Sequence, residues 1–190
     1  LNTIMKNLKM RAGAAVALSF ASCSDDDKPQ QVIENEVITT VTATLTPTTG
    51  GTPIVLKSQD LDGDGPNPPV VTVSGPFAVD ASYTGTVTFL NEMVSPAEDI
   101  TEEIHELGEE HQIFFRQSGL GVFTYKDNDE AGKPVGLSFG YAAPGAATSG
   151  NLTITLRHLP NKSATGVAAG DITNAGGSTD AEVVFPITVQ

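Results

Sequence analysis

At 190 residues, 39% hydrophobic and 17% charged, the chain has room for one domain of ordinary size plus a terminal extension. This composition excludes a chain that is disordered throughout. A formal charge of −13 argues against nucleic acid or anionic head groups as partners and is compatible with cation binding.

Residues 1–22 read as a secretory signal peptide. Lys6, Lys9 and Arg11 form its basic start, and Ala12 to Phe20 form an apolar run too short to span a bilayer. Phe20-Ala21-Ser22-Cys23 then resembles the lipobox of bacterial lipoproteins, with Phe20 where an aliphatic residue is usual. Cys23 is the only cysteine, so no intramolecular disulfide forms, and its expected role is lipidation. Acyl chains there would anchor the protein to a lipid bilayer, each buried methylene contributing about 0.8 kcal/mol. The acidic run Ser24-Asp25-Asp26-Asp27-Lys28 resembles a Bacteroidetes-type surface-export signal, so the expected location is the outer membrane, facing out from a Gram-negative cell. All 23 Asp and Glu follow Cys23, against seven of the 10 Lys and Arg, so the chain from Cys23 onward carries −16.

Residues 23–35 are polar and read as a tether. Residues 36–190 form the expected single domain. Val37 to Thr46 alternates β-branched and apolar residues at period two, the mark of a strand, and Thr48-Thr49-Gly50-Gly51 turns it into Ile54-Val55-Leu56. Further strands are expected at 70–73, 83–91, 112–116, 122–125, 135–141, 152–158 and 182–189, separated by Gly, Pro, Asn and Asp. Short strands at this spacing predict an all-β fold, an antiparallel β-sandwich or barrel-like sandwich. One window is ambiguous. Ile100, Ile104 and Leu107 have helical spacing, yet a hairpin turning at Leu107-Gly108-Glu109 is favoured because Gln112 to Phe115 resumes as strand.

Two clusters carry candidate chemistry. In Glu103-Ile104-His105-Glu106-Leu107-Gly108-Glu109-Glu110-His111-Gln112, a hairpin would make His105 and His111 cross-strand neighbours, with Cβ atoms about 4.5–5.5 Å apart. Both imidazoles would then reach one ion, with Glu109 or Glu110 adding oxygen, a donor set that suits zinc. His158 shares the parity of Leu152, Ile154 and Leu156, so it points to the core side at a strand end. In Asp60-Leu61-Asp62-Gly63-Asp64-Gly65 the acids match positions one, three and five of a calcium loop. Val71 stands at position twelve and Pro66, Pro68 and Pro69 forbid a following helix, so this is no EF-hand, though a calcium-stabilised loop fits. Asp127-Asn128-Asp129 with Gly132 reads as a hairpin turn. Gly136-Leu137-Ser138-Phe139-Gly140 matches a nucleophile elbow in letters, but Ala142-Ala143-Pro144-Gly145 promises a turn where the elbow needs a helix. No catalytic set emerges, and the expectation is a non-enzymatic protein.

The lipobox and acidic tether, Ser58 to Pro66, Ile100-Thr101-Glu102-Glu103-Ile104, Glu110-His111-Gln112 and Leu156-Arg157-His158 with Pro160-Asn161-Lys162 form a combination. Together they resemble a group of small Bacteroidetes-type outer-membrane lipoproteins often labelled "type 1 periplasmic binding fold superfamily protein". The resemblance covers nearly the whole chain from Cys23. The two-lobed α/β fold which that label denotes differs from the all-β reading of the residues. What the resemblance implies is an accessory to outer-membrane, TonB-dependent uptake. It carries over Glu110, His111 and His158 as a metal-capturing set, and His105 less directly. The expected function is therefore capture of a divalent cation, zinc first. The alternative is a calcium-stabilised structural or adhesive domain that binds a protein or glycan.

Overall fold

The computed structural model describes residues 37–190 apart from Asp64. The expected signal peptide, Cys23 and the tether lie outside the described residues, as does the third acid of the candidate calcium loop. Among the described residues, no helix is long and apolar enough to cross a membrane.

Among the described residues, ten strands and one short α-helix form the fold: β1 (Thr40–Pro47), β2 (Ile54–Gln59), β3 (Val70–Val73), β4 (Ser82–Asn91), β5 (Glu98–Asp99), α1 (Ile100–Glu106), β6 (His111–Arg116), β7 (Val122–Tyr125), β8 (Ser138–Ala142), β9 (Thr148–His158) and β10 (Ser178–Val189). One sheet has the order β3-β2-β1-β4-β8-β7, with β5 added on β4, and the other is β10-β9-β6. Every pairing between these strands is antiparallel. The two sheets pack together without closing into a barrel, so the expected all-β sandwich is the fold.

Alternation decides which side chains meet between the sheets. Val41, Ala43 and Leu45 of β1 are buried opposite Phe89, Val87 and Gly85 of β4. The second sheet answers with Leu152, Ile154 and Leu156 of β9, Phe185, Ile187 and Val189 of β10, and Ile113 of β6. Gly85 stands opposite Phe139 because a Cβ there would lie 2.2 Å from the Phe139 ring. Both edges of the smaller sheet are stitched to neighbouring chain. The Ile113 N–H donates to the Val135 carbonyl at 2.7 Å, and Phe77 bridges to Val189 in parallel. Such stitching satisfies edge groups that would otherwise template aggregation.

The other face of the smaller sheet is covered by the long connection from β9 to β10. Phe114, Val167 and Ala175 form a second buried cluster there, with Ala164 and Ile172 against it.

The expected hairpin at 105–111 is a helix. Asp99 caps it by accepting the Thr101 N–H at 3.0 Å, and Glu102 and Glu103 occupy the first turn, where the helix dipole favours negative charge. Ile100 and Ile104, four residues apart, bury one face. Local capping and an apolar i,i+4 pair outweigh the pull of the following strand. A 3-10 turn, Gly108–Glu110, then delivers the chain into β6.

Candidate metal centre

The helix changes what the histidines do. His105 is exposed on α1 and is not a cross-strand neighbour of His111. It lines an open depression of about 570 Å3 with Glu106, Glu109, Glu110 and Glu130. The partner of His111 is instead His158, directly opposite it where β6 meets β9.

This pairing extends the inward-facing row of the sheet. Phe115 lies opposite Ile154, Ile113 opposite Leu156, and His111 opposite His158. The row thus ends in two imidazoles where a core sheet would place two aliphatic chains. Their rings stack with centroids 5.0 Å apart and planes 23° from parallel. His111 is buried and the His158 side chain is 16% exposed.

The third member comes from β10. The β9–β10 register shifts between Thr179 and Ala181, so Asp180 is the extra residue of a β-bulge. A bulge re-aims a side chain that strict alternation would send to the other face. The Asp180 side chain is only 8% exposed, and its Oδ1 lies 3.9 Å from His158 Nδ1. Glu110 approaches the opposite nitrogen, with Oε2 3.6 Å from His158 Nε2. Glu110 therefore sits beside His158 on the side away from Asp180.

His111 is set in one tautomer by its surroundings. Its Nδ1 lies 3.0 Å from the Leu107 carbonyl, which can only accept, so Nδ1 carries the proton and donates. In the neutral ring Nε2 then keeps its lone pair. A histidine whose far N–H is held by a backbone carbonyl is the usual arrangement for a metal ligand.

Three further residues hold this frame. The Leu159 N–H donates to the Glu110 carbonyl at 2.6 Å, which extends the β6–β9 pairing past His158. Gly177 passes so close to the end of β9 that a Cβ there would lie 2.1 Å from the His158 carbonyl oxygen. Lys162, almost wholly buried, donates to the Gly108 carbonyl at 2.5 Å and to Asp129 Oδ2 at 2.8 Å. It ties the turn before His111 to the hairpin after β7. Burial works against the charge on Asp129, but Lys162 and the Lys133 N–H outweigh it and hold the carboxyl below its usual range.

Among the described residues, the ligand atoms of His111, His158 and Asp180 all lie within 4.8 Å of one another. Ligand atoms around tetrahedral zinc lie about 3.3 Å apart, given bonds of about 2.0–2.1 Å. An ion would have to draw the three side chains together by about an ångström or more. Two imidazoles and a carboxylate suit zinc, copper, nickel or iron far better than calcium.

The Asp-rich loop lies elsewhere but not far away. The Asp62 carboxylate accepts from the Asn67 side chain at 2.6 Å and from the Asn67 N–H at 3.3 Å, and the Asn67 side chain above all holds it below its usual pKa. Asp60 and Asp62 line an open depression of about 620 Å3 whose lining also includes Asp180. Ser138 lies in β8, and no helix follows that strand, so the elbow geometry is absent. The residue missed in the sequence is Asp180. Its even number in a strand whose buried residues are Phe185, Ile187 and Val189 assigns it to the outer face, and only the bulge reverses that.

Comparison with protein-family models, curated proteins and solved structures finds no match for this chain.

Proposed function

We propose that this protein is a surface-anchored, non-enzymatic lipoprotein that captures a divalent cation, zinc first, as accessory to an outer-membrane, TonB-dependent transporter. The observation that carries the cation part is the cross-strand pair His111 and His158 with Asp180 delivered to it by a bulge. Membrane attachment rests on the Phe20-Ala21-Ser22-Cys23 sequence and its acidic follower. The uptake role rests on resemblance.

The three donors gathered among the described residues leave a coordination position open. Structural zinc sites are usually closed by four protein ligands, whereas sites that exchange or act on a ligand keep one position free. Capture and release fit the open arrangement better than a purely structural ion does. The second reading, a calcium-stabilised adhesive domain, draws on the Asp60–Asn67 loop and needs neither histidine.

Calorimetric titration of the protein with zinc and with calcium, beside a His111→Ala, His158→Ala double variant, separates the two. Zinc binding that the double variant loses supports capture. Zinc binding that is absent, or equal in both proteins, overturns it.

A further inference from the structure

The donor group adjoins a depression through one of its members. Asp180 belongs both to the donor group and to the wall of the 620 Å3 depression between the start of β1, the β2–β3 loop and β10. A hydrated cation with six waters takes about 180 Å3, at about 30 Å3 per water. The depression is several times larger than an ion needs and falls within the roughly 300–1,000 Å3 range of small-molecule sites. Its lining is mixed rather than uniformly acidic. Val37, Ile38, Val183 and Met93 supply apolar surface, while Asp60, Asp62 and Glu182 join Asp180 in supplying negative charge.

We infer that the cation is held as a ternary complex: His111, His158 and Asp180 give three donors, and a small, amino-acid-like chelator seated in the depression gives the fourth. This rests on the cation-binding reading above. The chemistry of the chelator follows from the walls. An imidazole or amine donor completes a nitrogen- and oxygen-rich zinc sphere. The apolar strip accommodates a short organic body. The aspartates select a neutral zwitterion or a cation and repel a polyanion such as citrate. A site completed by water alone would need no organic-sized, partly apolar recess beside the ligand Asp180.

The test is equilibrium dialysis of labelled histidine against the protein at neutral pH, with and without stoichiometric zinc, and with labelled citrate in parallel. The expected result is saturable histidine retention, one molecule per chain, only when zinc is present, and no retention of citrate. A Val37→Trp variant narrows the depression at a half-exposed rim position and leaves the three donors untouched. It should weaken histidine retention about tenfold while zinc binding by calorimetry is unchanged. Zinc binding without histidine retention overturns this inference and leaves cation capture standing. Citrate retained as well as histidine overturns the charge argument. Failure to bind zinc at all removes the cation-binding reading, and the ternary complex with it.

Discussion

Removing the Lys162 amine should destabilise the domain severely. Its Nζ serves two acceptors, the Asp129 carboxylate at 2.8 Å and the Gly108 carbonyl at 2.5 Å. The two side chains of the ion pair are only 6% and 1% exposed, so water cannot replace the lost partner. Lys162→Ala leaves a buried, unpaired carboxylate, a change that costs about 3–5 kcal/mol. For a domain of this size that is a fall in Tm of roughly 6–20 °C. Replacing both partners, Lys162→Met with Asp129→Leu, removes the uncompensated charge. It still orphans the Lys133 N–H that Asp129 holds at 2.7 Å, while the Gly108 carbonyl keeps the His111 N–H, so a residual cost of about 1–3 kcal/mol remains. Urea unfolding followed by circular dichroism measures both variants, and a shifted midpoint with an unchanged slope reports stability itself. The pH dependence is a second check. Asp129 is held below its usual pKa in the folded protein, so its contribution is present above the unfolded value of about 3.9 and is lost as pH falls through the lower, folded one. In Lys162→Ala the part of the lowering that Lys162 supplies is lost, and the gap between variant and parent should narrow in acid. A loss below about 1 kcal/mol, as for an exposed pair, or a gap that ignores pH, would refute the reasoning.

Asp180→Ala should weaken zinc binding more than Glu110→Gln does, since Asp180 is a donor in the proposed site and Glu110 stands beside the far nitrogen of His158; calorimetry that ranks them the other way overturns that assignment. For Glu110→Gln the loss should be about 10–100-fold, as for partners that orient a ligand. Gly85→Ala should cost about 1–3 kcal/mol by overpacking, because a Cβ would sit 2.2 Å from the Phe139 ring; thermal unfolding of that variant beside Phe139→Leu, which makes room, checks it. Burial pushes both the Tyr125 and Tyr141 hydroxyls up to about 12. Their folded values are raised, so the stability they contribute is intact below about pH 10, the unfolded value, and is lost as pH rises through about 12. Absorbance titration should show that late step shrink in Tyr125→Phe.

How far the residues announced this fold depends on the interaction that decides each part. Strand parity is a two-residue rule with a large hydrophobic payoff, so the inward faces of β1, β4 and β9 could be read directly. Val70–Val73 and Val122–Tyr125 fall where alternation and flanking turns place them. The same parity carried His158 to the core side. The segment before β6 departs from the expected hairpin because two local preferences compete there. An Asp99 cap and the Ile100–Ile104 pair favour a helix, while Gln112 to Phe115 favours a returning strand. The chain satisfies both by inserting a 3-10 turn between them. Spacing alone does not reveal that such a turn will fit.

The donor group shows why a site is harder to read than a sheet. Its residues come from three strands and are separated by 47 and 22 positions. His111 and His158 meet because β6 and β9 pair in one register. A shift of a single residue would set Gln112 against His158 and turn one imidazole to the opposite face. That register is selected along the whole row, by Ile113 on Leu156 and Phe115 on Ile154, so core packing fixes the distance between the two imidazoles. Asp180 obeys the opposite logic. Perfect alternation along β10 would turn its carboxylate outward, and it reaches the histidines only because the strand breaks alternation once, immediately before Ala181 takes its place opposite Leu156. A bulge leaves a residue out of the ladder and tends to persist in a fold where it re-aims a side chain. Deleting Asp180 should therefore restore regular pairing and leave the sheet intact while zinc binding fails. If the deletion unfolds the sheet instead, the bulge is a structural necessity and its place beside two histidines loses its weight.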